Sequence, residues 1–154
     1  MVQKFGTILI VEDNEEDALL LRKSLQTMLP TSPVQWVSDG NEAILYLCGD
    51  GRYSNRAQYP LPALMLLDLK MPIKNGFEVL RFARSYPAFA AIPIIVHSDC
   101  FDPRIVKRAY ELGANSFLRK PTNPQGRLRI SEALKSYWLD INTIPQDSPA
   151  YEEL

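Results

Sequence analysis

Residues 7–25, TILIVEDNEEDALLLRKSL, decide the fold. The first five run apolar without the polar alternation of a strand that has one wet face. Continuous apolar strands are what a parallel sheet buried on both faces requires. Glu12 and Asp13 close the strand, and Asn14 stands where a helix N-cap accepts the first free amides. Ala18, Leu19, Leu21, Leu25 and Met28 then recur at helical spacing until Pro30 and Pro33 stop the helix.

That strand, acidic turn and helix form a unit which the rest of the chain repeats. Further apolar runs lie at 34–37 (VQWV), 63–67 (ALMLL), 94–96 (IIV) and 116–118 (SFL). Helical patterns follow them at 41–47, 77–83, 103–112 and 125–142. Asp102 is placed to cap the fourth helix, with Pro103 at its first position and Gly113 just past its end. In the last helix Ile130, Leu134, Tyr137, Trp138 and Ile141 fall on one stripe. Five such units predict an α/β fold: a doubly wound, five-stranded parallel sheet between two helical layers, with right-handed crossovers. Residues 49–62 are turn-rich and predict a long surface loop. The expected domain is 1–142, with 143–154 as a C-terminal tail.

Composition narrows the function. With 154 residues, 46% of them hydrophobic, the chain can build one domain with a real core. Lys plus Arg is 17 and Asp plus Glu 18, a net charge of −1, so nothing draws the whole molecule to nucleic acid or to an anionic membrane. Two cysteines and one histidine exclude a disulfide scaffold and a four-ligand Cys/His zinc site. No apolar run is long enough to span a membrane, and the N-terminus does not read as a signal peptide. A soluble, cytoplasmic protein is expected.

Open α/β sheets bind ligands at the carboxyl ends of their strands. There the sequence places Glu12-Asp13, Asp68, His97-Ser98-Asp99 and Lys120-Pro121. Singly, most of these have bland explanations: Asp13 a helix start, Ser98 a turn, Lys120 a solvated charge, Phe117 a core residue. Glu12 and Asp13 together are harder to dismiss, because adjacent acids ending a buried strand repel unless something neutralises them. Asp68 ends the most apolar strand of all. A cis Lys120–Pro121 bond would aim the ammonium inward. Clustered carboxylates suit a hard divalent cation such as Mg²⁺. Beside it, Asp68 could act as nucleophile toward a phosphoryl group, with Lys120 and Ser98 on the phosphoryl oxygens.

The ordered set VEDNEEDALLL, LLDLKMPIKNGFEVL, IPIIVHSD and ELGANSFLRKP resembles the receiver domain of two-component response regulators, over about residues 7–142. Asp68 to Ser98 spans 30 positions and Ser98 to Lys120 spans 22, both usual for that family. The loop before the third strand and the ending SYWLDIN look most like stand-alone regulators that partner bacteriophytochromes and cyanobacterial phytochromes. The resemblance implies a flavodoxin-like (βα)5 fold and phosphoryl transfer from a sensor histidine kinase, of the phytochrome-type hybrid kind, onto Asp68. It also implies that Asp13, Asp68 and the Lys70 backbone carbonyl ligate Mg²⁺ directly, and that Glu12 acts through water. Ser98 and Lys120 would bind the phosphoryl group, with Ser98 and Phe117 as the switch pair. Such a protein is no enzyme beyond catalysing its own phosphorylation and dephosphorylation.

Asp99 departs from the small residue usual after the switch hydroxyl, and it keeps open an alternative: a degenerate receiver that binds partners without phosphorylation. Lys70 and Cys100 stand where the family tunes hydrolysis. A phosphatase of the haloacid-dehalogenase type would place its nucleophile on the first strand, with an acid two positions on, where this chain has Lys70 after Asp68. The expected output is contact with a downstream protein. Ile105, Val106, Ala109, Tyr110 and Leu112 on the fourth helix, and Leu128 and Leu139 off the main stripe of the fifth, suggest a homodimer through the fourth helix, fifth strand and fifth helix.

Overall fold

The computed structural model describes residues 5–143. Its elements run β1 (Ile8–Val11), α1 (Glu15–Met28), β2 (Val34–Val37), α2 (Gly40–Cys48), β3 (Leu64–Leu67), α3 (Gly76–Ser85), β4 (Ile94–Ser98), α4 (Pro103–Glu111), β5 (Ser116–Arg119) and α5 (Pro124–Leu134). The sheet is parallel throughout, in the order β2-β1-β3-β4-β5. Strand order reverses between β1 and β3, which is where a doubly wound sheet opens a crevice.

Alternate residues of the continuous apolar strands feed two separate cores. Ile8, Ile10, Leu64, Leu66 and Ile95 pack with Leu21, Leu25 and Leu134 of α1 and α5. Leu9, Val11, Met65, Leu67, Ile94 and Val96 pack on the other face with Tyr46, Leu80 and Ala109 of α2, α3 and α4. β1 and β3, central in the sheet, are buried along their whole length.

The helix starts follow side-chain capping. Asn14 accepts from the Asp17 amide at 2.9 Å, and Asp102 from the Arg104 amide at 2.9 Å. Asp39 and Asn123 cap α2 and α5, and Asn75 forms a reciprocal capping box with Glu78 at the start of α3.

Residues 49–62 form the expected surface loop, with only Tyr53 and Pro62 buried. A 3-10 turn at Gly51–Tyr53 buries Tyr53 against Tyr46 and Tyr59, and Arg56 donates to the carbonyls of Tyr46, Leu47 and Tyr59. The last helix does not keep one stripe to residue 142. After Leu134 it widens into a π-helical segment, Lys135–Ile141. The wider turn changes the phase, so Trp138 and Leu139 pack on the core while Tyr137 and Ile141 face outward. Leu139 is therefore no part of an outer face. All of the expected tail but Thr143 lies outside the described residues.

Candidate functional site

The acids meet where β1 and β3 end side by side. Glu12 follows Val11, and Asp68 follows Leu67, whose register partner is Val11. The Asp68 amide donates to the Val11 carbonyl at 3.0 Å, extending the ladder by one rung and fixing the separation of the two acids. Glu12 and Asp68 are buried, Asp13 is exposed, and one carboxylate oxygen from each lies within 4.8 Å of the others. An all-oxygen set of this size, open to water on the Asp13 side, fits a hard divalent cation such as Mg²⁺.

Lys120 enters from the end of β5. Its ammonium donates to Glu12 Oε2 at 2.7 Å, Asp17 Oδ2 at 3.2 Å and Asp68 Oδ2 at 3.3 Å. The inward aim needs no cis bond: among the described residues no peptide bond is cis, which corrects that expectation. The backbone delivers it instead, since the Lys120 amide donates to the Ser98 carbonyl at 2.9 Å.

Charge burial shows in the protonation equilibria. Desolvation pushes the Glu12 carboxyl up to about 7, although the hydrogen bond from Lys120 pulls the other way. Burial also raises Asp68 above the usual carboxylate range, against the opposing charge of Lys120. For Lys120, burial alone would lower the value, but the hydrogen bond to Glu12 and the charges of Asp68 and Glu12 raise it. Neighbouring His97 is lowered to about 4, first by burial and then by the positive charge of Lys120.

The loop that follows Asp68 is held tightly. The Leu69 amide donates to Asp68 Oδ1 at 2.8 Å, leaving Oδ2 toward Lys120. A Cβ added to Gly76 would overlap the Asp68 carbonyl, so only glycine lets α3 start this close. Ile73 has φ 67° and is 76% exposed, a conformation that costs a β-branched residue about 1–2 kcal/mol. Lys70 is exposed at the mouth of the site.

Ser98 is fully buried, but its hydroxyl accepts from the Cys100 amide at 3.1 Å and makes no hydrogen bond to Asp68 or Lys120. Phe117 is half-buried against the core on the α4 side. The exposed Asp99 makes no hydrogen bond or ion pair among the described residues. The structure thus gathers Glu12, Asp13, Asp68 and Lys120, without the Ser98 hydroxyl or Phe117.

Sequence reasoning missed two contributors. Asp17 lies in the first turn of α1, where an acid is ordinarily explained by the helix start, yet its carboxylate reaches the Lys120 ammonium. Trp36, in β2, donates its indole N–H to the Glu12 carbonyl at 2.8 Å. No spacing in the sequence marks that contact.

The profile of the response regulator receiver domain matches residues 8–131. The probable methanogenesis regulatory protein FilR2 of Methanothrix harundinacea is 34% identical over 138 residues, 90% of this chain and 86% of that protein. Response regulator Rcp1 of Synechocystis is 33% identical, over 90% of this chain and 92% of its own length. The crystal structure of the phosphorylated cyanobacterial phytochrome response regulator RcpA superposes with a TM-score of 0.83 at 34% identity, covering 90% of this chain and 97% of that one. The Mn²⁺-bound form of Rcp1 superposes with a TM-score of 0.80. Sheet order, acid cluster, buried lysine and these likenesses agree: the chain belongs to the response regulator receiver family.

Proposed function

We propose that this protein takes a phosphoryl group from a sensor histidine kinase onto Asp68 and signals through the resulting change of surface. The observation that carries this reading is the approach of one ammonium to Asp68 Oδ2 at 3.3 Å, beside an acid cluster sized for a divalent ion. Glu12, Asp13, Asp68 and the Lys70 carbonyl would hold Mg²⁺, which when bound supplies charge neutralisation for the incoming phosphoryl oxygens. Asp68 Oδ2 attacks phosphorus as the bond to the donor breaks. Lys120 receives a phosphoryl oxygen, and the Ser98 hydroxyl leaves the Cys100 amide to donate to another. The space Ser98 vacates lets Phe117 turn inward, altering the surface of α4, β5 and α5. Catalysis is confined to the protein's own phosphorylation and hydrolysis.

Acetyl phosphate with Mg²⁺ should add one acid-labile phosphoryl group by intact mass, and Asp68→Asn should add none. Equal labelling of both would overturn the assignment.

We read residues 1–142 as the receiver domain and 143–154 as its tail. The likeness to RcpA and Rcp1 supports a phytochrome-type kinase as the partner, and a downstream protein as the target. No helix among the described residues is long and apolar enough to cross a membrane, which fits a cytoplasmic partnership. Exposed Tyr110 on α4 and Leu128 on α5 support a homodimer through α4, β5 and α5, which sedimentation of the labelled sample would detect.

A further inference from the structure

Lys120 has three N–H bonds, and all are committed: to Glu12, to Asp17 and to Asp68. A phosphoryl group on Asp68 Oδ2 replaces that acceptor with oxygens farther out, and the ammonium can follow them only as far as Glu12 and Asp17 allow. The two are not equivalent. The Glu12 side chain is 4% exposed, and losing the cation would strand its charge away from water. The Asp17 side chain is 43% exposed, so solvent can replace the ammonium there.

We propose that Asp17 is a positioning residue of the phosphoryl site, holding the Lys120 ammonium against helix α1 in the unphosphorylated protein and yielding it to the phosphoryl oxygen. The inference rests on Asp68 being the phosphoacceptor. Asp17 is well placed for the part. Its own amide is pinned by Asn14 Oδ1 at 2.9 Å, so its side chain reaches Lys120 from a fixed point on the first turn. Next to the contact is a small cavity of about 50 Å³, lined by Asp17, Leu20, His97, Asp99, Lys120 and Arg127. It has room for a water, and Arg127 offers a second cation to a released Asp17 carboxylate. The buried Nε2 of His97 has no hydrogen-bond partner among the described residues, a polar group left unused at the same spot.

The release would loosen α1 from the β5–α5 turn. Those elements are otherwise joined a turn and more away, where Ser24 Oγ meets Ser131 Oγ at 2.8 Å and donates to the Arg127 carbonyl at 3.3 Å. Phosphorylation would therefore be felt on the α1–α5 face as well as at α4.

The test uses the full chain at saturating Mg²⁺. Asp17→Asn frees the ammonium and removes one negative charge from the approach path. Its initial labelling rate with acetyl phosphate is expected to rise roughly three- to fivefold, the size of a partly exposed ion pair. Asp17→Glu, which keeps the charge, should stay near wild type. In metal-free samples, backbone amide NMR signals of 14–18 and 120–123 in Asp17→Asn should shift toward their positions in wild type loaded with beryllofluoride and Mg²⁺. A mere loss of packing would not move them in that direction. If wild type takes label and Asp17→Asn is no faster, with amides unmoved, the role of Asp17 is overturned while the phosphoacceptor stands. If wild type takes no label, both fall.

Discussion

Two of the part-buried cationic side chains, Lys120 and Arg84, are held in opposite ways. Lys120 sits at the carboxyl end of the sheet among three carboxylates. Arg84, on α3, has no acid partner among the described residues. It donates to the carbonyls of Gly113, Phe89, Ala90 and Ile92 and to the side-chain oxygen of Asn115, at 2.8–3.4 Å. Burial lowers its basicity, and only neutral dipoles offset that. Such dipoles cannot be replaced by an arriving ion, so Arg84 is a permanent rivet joining α3 to the segments that lead into β4 and β5. The carboxylates around Lys120 exceed its charge, and an incoming cation or phosphoryl group can rearrange them. One cation is built to stay and the other to be handed on.

Removing Lys120 should break the contrast most visibly. Lys120→Ala should lose the phosphoryl-driven surface change altogether. In metal-free buffer its unfolding free energy should fall by about 3–5 kcal/mol, because buried acids are left without their partner. Saturating Mg²⁺ should restore most of that stability, read by denaturant titration, since the metal supplies the missing charge. Arg84→Ala should cost about 3 kcal/mol from unsatisfied carbonyls, and Mg²⁺ should not restore it. Arg84→Lys should recover only part, lacking the planar fork that reaches several oxygens at once.

Acidity sharpens the same comparison more gently. Glu12 rises from 4.5 to about 7 on folding, so the native state binds the extra proton and stability falls as pH climbs through that window. His97 drops from 6.5 to about 4, so the native state binds fewer protons and stability rises with pH between those values. Lys120 stays charged in both states below pH 8 and adds no slope. The two slopes oppose each other between pH 4.5 and pH 6.5, where the raised Asp68 carboxyl adds to the fall. His97→Asn should uncover the fall from pH 5 to pH 7 in thermal melts, and Mg²⁺, by holding Glu12 ionised, should flatten it. An unchanged profile in the variant would break the account of the acid pocket.

The sheet was legible in the sequence because its strands are apolar on both faces, and only burial on both faces explains TILIV or ALMLL. Glu12, Asp13, Asp68 and Lys120 were legible because charge at the end of such a strand has few ordinary explanations. Asp17 and Arg84 were not, because acids at helix starts and arginines on helices are common and their partners come from distant turns. The π-helical segment was invisible for a different reason: the stripe from Ile130 to Ile141 suits a regular helix, and the wider turn shows only where Trp138 and Leu139 meet the core. Residues 49–62 were legible as a loop through their glycines and prolines, which say nothing of Tyr53 buried beneath it.

The hydrogen bond from Trp36 to the Glu12 carbonyl makes the indole a resident optical probe. The chain has one other tryptophan, Trp138, in the last helix, so emission from the two has only two origins. Any ligand that repolarises the loop after β1 alters the dipole Trp36 points at. Titration of the pocket can therefore be followed in unlabelled protein, with light alone and no engineered fluorophore.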